Sequence, residues 1–248
     1  MAERQRLEQE AQRAEHFALL GRLAAGVSHE IRNPLGAVFL HMDLLTEELA
    51  QPSPDSAAVL AEALAEIKTN LARLDDLVQD YLSLVRVHTI QCEVQDLGMA
   101  VENWSAEYQT LAAARGMQVQ CEHLTALGPV VFHASTLRRA VLNLVHNALD
   151  AMAPGGTVPL TGQSTADQVQ LQVHDTGSGI PAERLAQIFE PLHTTKPGGT
   201  GLGLYIVQEI MAAHGGQVTV QSVVGQDTTF TLTLPREAWP FQHRSDIC

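Results

Sequence analysis

Aromatic residues are scarce in this chain of 248 residues: Phe, Trp and Tyr together make up 4%. Side chains of that kind, with the β-branched set, fill sheet sandwiches, so their scarcity beside abundant Leu and Ala favours helices. Positive charge is short as well. Fifteen Lys and Arg stand against 28 Asp and Glu, a formal net charge of −13. That excludes sequence-independent nucleic-acid binding, which needs a basic footprint. The three cysteines, Cys92, Cys121 and Cys248, are far apart and form no CxxC pair. Neither a disulfide framework nor a zinc site is expected, and the thiols read as reduced, as in a cytoplasmic protein. No apolar run approaches the roughly 18 residues of a membrane span, and the opening MAERQRLEQEAQRAEH is too charged for a secretory signal. This segment is expected to be soluble, without membrane contact of its own, and to suit the cytoplasmic part of a longer, membrane-anchored protein.

What is present begins with GRLAAGVSHEIRNPLGAVFLHMDLL, Gly21 to Leu45. Leu20, Ala24, Val27, Ile31, Leu35, Val38, Met42, Leu45 and Leu49 recur at spacings of three and four, one stripe along a helix. His29 lies two residues from both Val27 and Ile31, about 200° around the helix, so it is expected to project away from the buried face. Ala25, Gly26, Arg32, Asn33 and Gly36 share its side. Small residues there leave room for another protein surface, and an interior Gly costs about 1 kcal/mol relative to Ala. Pro34 removes a backbone donor just past the site, and a kink is expected there.

The pattern predicts one helix from residue 3 to about 50, its first 18 residues a weak coiled-coil connector, and a second from about Ala57 to Val87 after the QPSPDS turn. The second stripe is Leu60, Leu64, Ile67, Leu71, Leu74, Val78, Leu82 or Tyr81, and Val85. Two such helices make an antiparallel hairpin that cannot cover its own apolar side, which points to a four-helix dimer. Residues 1–90 are thus read as a helical unit, and 91–236 as a second one where helices and strands alternate. Strands are expected at Val94–Leu97, Gln118–His123, Val130–His133, Thr157–Gln163, Gln168–His174, Gln217–Val223 and Thr228–Leu234. Helices are expected at Met99–Arg115, Ser135–Met152 with Ser135 as cap, from Pro181 to Phe189, and Leu204–His214. That order fits helices on one face of a mixed sheet, an α/β sandwich. Residues 237–248 carry no pattern and read as a disordered tail.

Three clusters in the second half carry chemistry. Asn143 and Asn147 in VLNLVHNALDAM lie four apart on one helix face, where an amide oxygen can ligate a hard cation such as Mg²⁺. DTGSGI sets Asp175 at a strand end, followed by Gly177 and Gly179, which let backbone pass close to a flat ligand while a buried carboxylate accepts from an exocyclic amine. GGTGLGL, with Gly199, Thr200, Gly201, Leu202 and Gly203, runs into a helix N-terminus suited to phosphate.

Together these motifs resemble the catalytic core of bacterial sensor histidine kinases. SHEIRNPL resembles the H box, NLVHNALDA the N box, DTGSGI the G1 box, IFEPLHTTK the F box with its lid, and GTGLGL the G2 box, over roughly His16 to Pro235. The HEIRNPL form is most similar to kinases of the nitrogen-regulatory type. The resemblance implies an α+β multi-domain chain: a helical hairpin that dimerises into a four-helix bundle, then an ATP-binding domain of the Bergerat fold. It implies His29 as phospho-acceptor, Glu30 as the group that orients or deprotonates it, and Asn33 as the residue positioning water for dephosphorylation of a response regulator. It further implies Asn147 on Mg²⁺, Asp175 on the adenine amine, the glycines shaping the ATP pocket, and Lys196 in the lid near the phosphates. The implied partners are a second copy of the chain and a receiver domain.

Three positions depart from the family pattern: Leu192 and His193 stand where aromatics are common, and Asp150 where a base is common. The alternatives are an ATP-hydrolysing clamp on the same nucleotide fold and a non-catalytic dimeric scaffold. A clamp carries a Glu to activate water, whereas the position one turn before Asn147 is Asn143, a poor base. A scaffold would not need every catalytic position filled.

Overall fold

A computed structural model describes residues 2–52, 54–87, 90–194, 196 and 200–236, with only the backbone described for residues 2–20, 22–25, 29 and 86. Two compact units divide the chain, Met1–Val85 and Arg86–Cys248. The expected tail at 237–248 lies outside the described residues, as do the side chains of the expected connector.

The first unit is a pair of helices, α1 (Ala2–Ala50) and α2 (Ser56–Arg86). α1 continues through Pro34, which is itself buried. The turn between the helices is closed by the Gln51 N–H donating to Glu47 O at 3.0 Å and by the Ser56 hydroxyl donating to Glu48 Oε1 at 2.6 Å. Val27 and Val38 on α1, with Ala63, Leu77 and Leu84 on α2, are buried. Among the described residues of the expected stripes only Val27 and Val38 are buried; the buried residues of α2, Ala63, Leu77 and Leu84, lie outside the stripe predicted for it. Leu64, Leu71, Val78 and Val85 form a column at heptad spacing that stays 43–50% exposed, and Leu35, Phe39, Leu40, Met42, Leu44 and Leu49 on α1 are exposed too.

The second unit comprises β1 (Glu93–Asp96), α3 (Leu97–Ala113), β2 (Gln118–Glu122), β3 (Pro129–Phe132), α4 (Ala134–Ala151), β4 (Thr157–Ser164), β5 (Gln168–Asp175), α5 (Gly203–Ala213), β6 (Gln217–Val223) and β7 (Asp227–Pro235). Five strands form a mixed sheet in the order β2-β4-β5-β7-β6, and β1 pairs with β3 in a separate two-stranded ribbon. Only β2 and β4 run parallel; the other neighbours are antiparallel. Strict alternation aims one face of β5 inward, Val169, Leu171, Val173 and Asp175, while Gln168, Gln170, Gln172 and His174 stay half-buried on the other. α4 packs on β4 and β5, and α5 on β6 and β7. Leu137, Ala140, Val141, Leu144, Val145, Ala148 and Leu149 of α4 fill the interior, each large one worth about 1.5–3 kcal/mol of burial.

Two local expectations are corrected. Residues 182–189 form successive turns rather than a helix: Arg184, Leu185 and Gln187 each donate to the residue three back, and only Ile188 donates four back. A two-turn segment whose Leu185, Ile188 and Phe189 are only half-buried recovers too little to offset helix nucleation. α4 begins one residue earlier than expected, with His133 rather than Ser135 at its N-cap. Long-range contact sets that start, because the His133 N–H donates to the buried His214 Nε2 at 3.0 Å while Leu137 N–H closes the first turn onto His133 O at 3.1 Å.

Candidate functional site

His29 lies within the α1 backbone; its side chain is outside the described residues. Its neighbours are described. Glu30 is half-buried, and Asn33, one turn on, is exposed. Burial pushes the Glu30 carboxyl above its ordinary value, opposed by the Arg73 guanidinium on α2 and reinforced by Asp80. Asp80 is buried, and Arg73 Nε is buried with no hydrogen-bond partner among the described residues. A carboxyl raised in this way holds a proton more readily than a solvated one, a property suited to a base beside an imidazole.

In the second unit, α4 is the spine of the site. Asn143, Asn147 and Ala151 recur every four residues along it, and each meets a different motif. Asn143 Nδ2 donates to Gly203 O at 3.1 Å, tying α4 to the first residue of α5. Asn147 Oδ1 accepts from Lys196 Nζ at 3.0 Å. Ala151 O accepts from the Ser178 N–H at 3.2 Å, and a Cβ on Gly177 would meet that same oxygen at 2.5 Å.

Asp175 ends β5 and is 3% exposed, with its Oδ1 accepting from the Gly177 N–H at 2.9 Å. Burial raises its pKa, against the opposing pull of that hydrogen bond and of His174. The glycines of this loop admit the close approach of protein backbone. Gly179 has φ +67°, and a Cβ there would lie 2.2 Å from Val223 O at the end of β6. Gly201, at φ +65°, lies against Leu192 in the same manner, and the Leu192 N–H donates to Gly201 O at 3.0 Å. The Leu202 N–H donates to Thr200 Oγ1 at 3.1 Å, and Leu202 occupies the N-cap of α5 without a side-chain bond. Gly203 faces open space apart from Asn143 at 3.9 Å. Gly199 lies outside the described residues. Phe189 of the F-box motif stacks edge-on against buried Phe230, centroids 6.5 Å apart.

Two residues join the site that sequence patterns did not assign to it. Asp150 accepts from Lys196 Nζ at 2.8 Å on Oδ2 and from Arg115 at 2.5 Å on Oδ1. Burial would raise the Asp150 pKa, yet Lys196 and Arg115 outweigh it and hold the carboxyl below the usual range. The missing base at position 150 was visible in the sequence; its compensation was not, because Arg115 sits 35 residues away in a turn with no motif. Asn147 and Asp150 thus present oxygens that already hold one cation, an ammonium. That donor chemistry also fits a hard metal ion.

The sequence matches two families over these units: the His Kinase A (phospho-acceptor) domain at residues 19–90, and the histidine kinase-, DNA gyrase B- and HSP90-like ATPase at residues 133–238. The sensor histidine kinase ZraS of Escherichia coli is 36% identical over 94% of this chain and 49% of its own length. The signal transduction histidine-protein kinase AtoS of the same organism is 32% identical over 90% of this chain and 36% of its own. The chain spans about half the length, or less, of these curated relatives. Among solved structures, histidine kinase ThkA in complex with response regulator protein TrrA gives a TM-score of 0.72 at 22% identity, covering 94% of this chain and 66% of that one. Full-length ShkA in complex with AMPPNP gives 0.63 at 28% identity, covering 88% and 46%. The two units, with their motifs in order on one hairpin and one α/β sandwich, define a kinase core of the two-component type. The chain belongs to the sensor histidine kinase catalytic cores.

Proposed function

We propose that the chain transfers the γ-phosphoryl group of ATP to His29 and from there to an aspartate of a response-regulator receiver domain. The observation that carries this reading is the convergence on α4, where Asn143, Asn147 and Ala151 gather the start of α5, Lys196 and the Asp175 loop at one place. In the first step an unprotonated His29 nitrogen attacks the γ-phosphorus. A P–N bond forms, the bond to the bridging oxygen breaks, and ADP leaves with the electron pair. Glu30, its basicity raised by burial, accepts or orients the proton on the other ring nitrogen.

Asp175 would accept a hydrogen bond from the adenine amine, and the loop bearing Gly177 and Gly179 would flank the base. Thr200, Gly201, Leu202 and Gly203 lead into the positive end of α5, where backbone N–H groups suit phosphate oxygens; Gly199 belongs to the same motif. Asn147 would hold Mg²⁺, whose chemistry is to neutralise charge on the phosphates, and Lys196 would add a second positive charge there. Asn143, through Gly203, would keep α5 in place. Asn33 would position water for hydrolysis of the regulator's acyl phosphate, giving the chain a phosphatase activity.

The uncovered heptad column of α2 and the exposed apolar residues of α1 support a homodimer that buries them as a four-helix bundle. No helix among the described residues is long and apolar enough to cross a membrane, in keeping with the cytoplasmic part of a longer sensor.

Incubation with γ-labelled ATP and Mg²⁺ tests the reading. Acid-labile, base-stable label is expected on the native protein and none on His29→Gln. Equal labelling of the variant would remove His29 as the acceptor.

A further inference from the structure

The adenine loop is fastened from outside by a part of the chain that no motif includes. The Ile180 N–H, at the loop's far end, donates to Ser222 Oγ at 2.8 Å. That hydroxyl donates in turn to Asp227 O at 2.8 Å and lies 2.9 Å from Thr228 Oγ1. The Gly225 N–H, at the tip of the β6–β7 turn, donates to Ser178 O at 2.8 Å. Gly179, between these two bonds, lets the Val223 carbonyl approach where any side chain would collide. Ser222 pairs with Thr228 across β6 and β7, and Thr228, 3% exposed, pairs with Asp175 across β7 and β5. A short path of hydroxyls and ladder positions therefore runs from the loop's end to the strand position abreast of Asp175.

We propose that Ser222 is a positioning residue for base recognition: with the β6–β7 turn it clamps residues 178–180, fixing the loop opposite the Asp175 carboxylate. This rests on the reading of Asp175 as the adenine acceptor. A hydroxyl is needed at 222 because it must accept from one backbone group while donating to another, which no apolar side chain can do. Without it the Ile180 N–H loses its partner, and the loop samples positions from which the base is read poorly.

Affinities of the full chain for ADP and for inosine diphosphate, which lacks the exocyclic amine, test this by calorimetric titration. Wild type is expected to prefer ADP. Ser222→Ala is expected to bind ADP about tenfold more weakly, with a smaller loss for inosine diphosphate, so that the preference shrinks. Ser222→Thr, which restores the hydroxyl, is expected to recover both. A purely structural role would weaken both ligands alike and leave their ratio unchanged. A wild-type preference retained in full by Ser222→Ala would overturn the clamp and leave the Asp175 reading standing; a wild type indifferent to the base would overturn that reading and the clamp with it. Should Ser222→Ala fail to fold, Thr228→Val removes the neighbouring hydroxyl at constant shape. Its preference is expected to fall about threefold, and an unchanged ratio there overturns the proposal equally.

Discussion

Replacing Gly179 by Ala is the sharpest probe of the nucleotide loop, because the structure supplies each part of its cost. The residue has φ +67°, a conformation that costs an L-residue about 1–2 kcal/mol. The new Cβ would fall 2.2 Å from Val223 O and 2.8 Å from both Val223 C and Val224 Cα. These are backbone atoms, so no rotamer change relieves the overlap; the loop and the β6–β7 turn must separate. Separation breaks the bond from the Gly225 N–H to Ser178 O, worth about 1 kcal/mol. The sum, about 2–3 kcal/mol, corresponds to roughly 30- to 150-fold in the closed population of the loop, and nucleotide affinity should fall by that factor. Gly128→Ala is the control. Its φ is +61° with nothing within 4 Å, so it carries the conformational cost alone, away from the loop. Titration with ADP alongside thermal melts of both variants separates binding from stability. Nucleotide affinity of Gly179→Ala equal to that of Gly128→Ala would refute the claim that the loop is held by close backbone contact.

The double substitution Leu71→Asp and Val78→Asp alters residues half-exposed in the single chain, so helix content should hold while dimerisation weakens roughly ten-thousandfold, at about 1.5 kcal/mol for each of four lost burials; an unchanged sedimentation profile would exclude this column as the interface. Asp150→Ala releases Lys196 and Arg115. These pairs are 35–40% exposed side chains, so stability should change by less than about 1 kcal/mol while ADP affinity in the presence of Mg²⁺ falls several-fold, and unaltered titration curves would count against a tether. His214, 2% exposed, sits between Ile210 O at 2.7 Å on Nδ1 and the His133 N–H at 3.0 Å on Nε2, and burial first, then neighbouring His133, lowers its pKa below 6.5. The unfolded chain then takes up the proton more readily, so this contribution is complete above about pH 6.5 and is lost as pH falls through the folded value. The melting temperature of the second unit should drop between pH 7 and pH 5, and His214→Gln should flatten that slope; an identical slope in the variant would show that another group is responsible.

Residue patterns reached most of the fold because its elements are locally consistent. The alternation from Gln168 to Asp175 and the three-four spacing through Leu137, Val141, Leu144 and Ala148 each dictate one element, and β5 and α4 follow within a residue or two. The stretch after Pro181 misled, since its apolar residues are spaced for a helix too short to sustain itself. Ser135 misled as well, because the start of α4 is fixed by His214, 81 residues away, and no local signal reports such a partner. At the site, motif order singles out Asn147, Asp175 and the glycines as candidates, while spacing says nothing of what each glycine touches. Asp150 with Arg115, and Ser222 with Ile180, are 35 and 42 residues apart and meet only through the tertiary fold. Pairings of that kind depend on register between strands distant in sequence, which periodicity along one strand does not encode.

Leu192 is held at φ +65°, a twist that leucine tolerates poorly and glycine or asparagine accepts at little cost. Its surroundings keep it there through the bond from its own N–H to Gly201 O. The chain therefore carries an unspent reserve of heat resistance at one position. Exchanging that leucine for asparagine or glycine would release about 1 kcal/mol of torsional cost, at the expense of some burial, and would loosen the joint where the polypeptide enters the Lys196 segment.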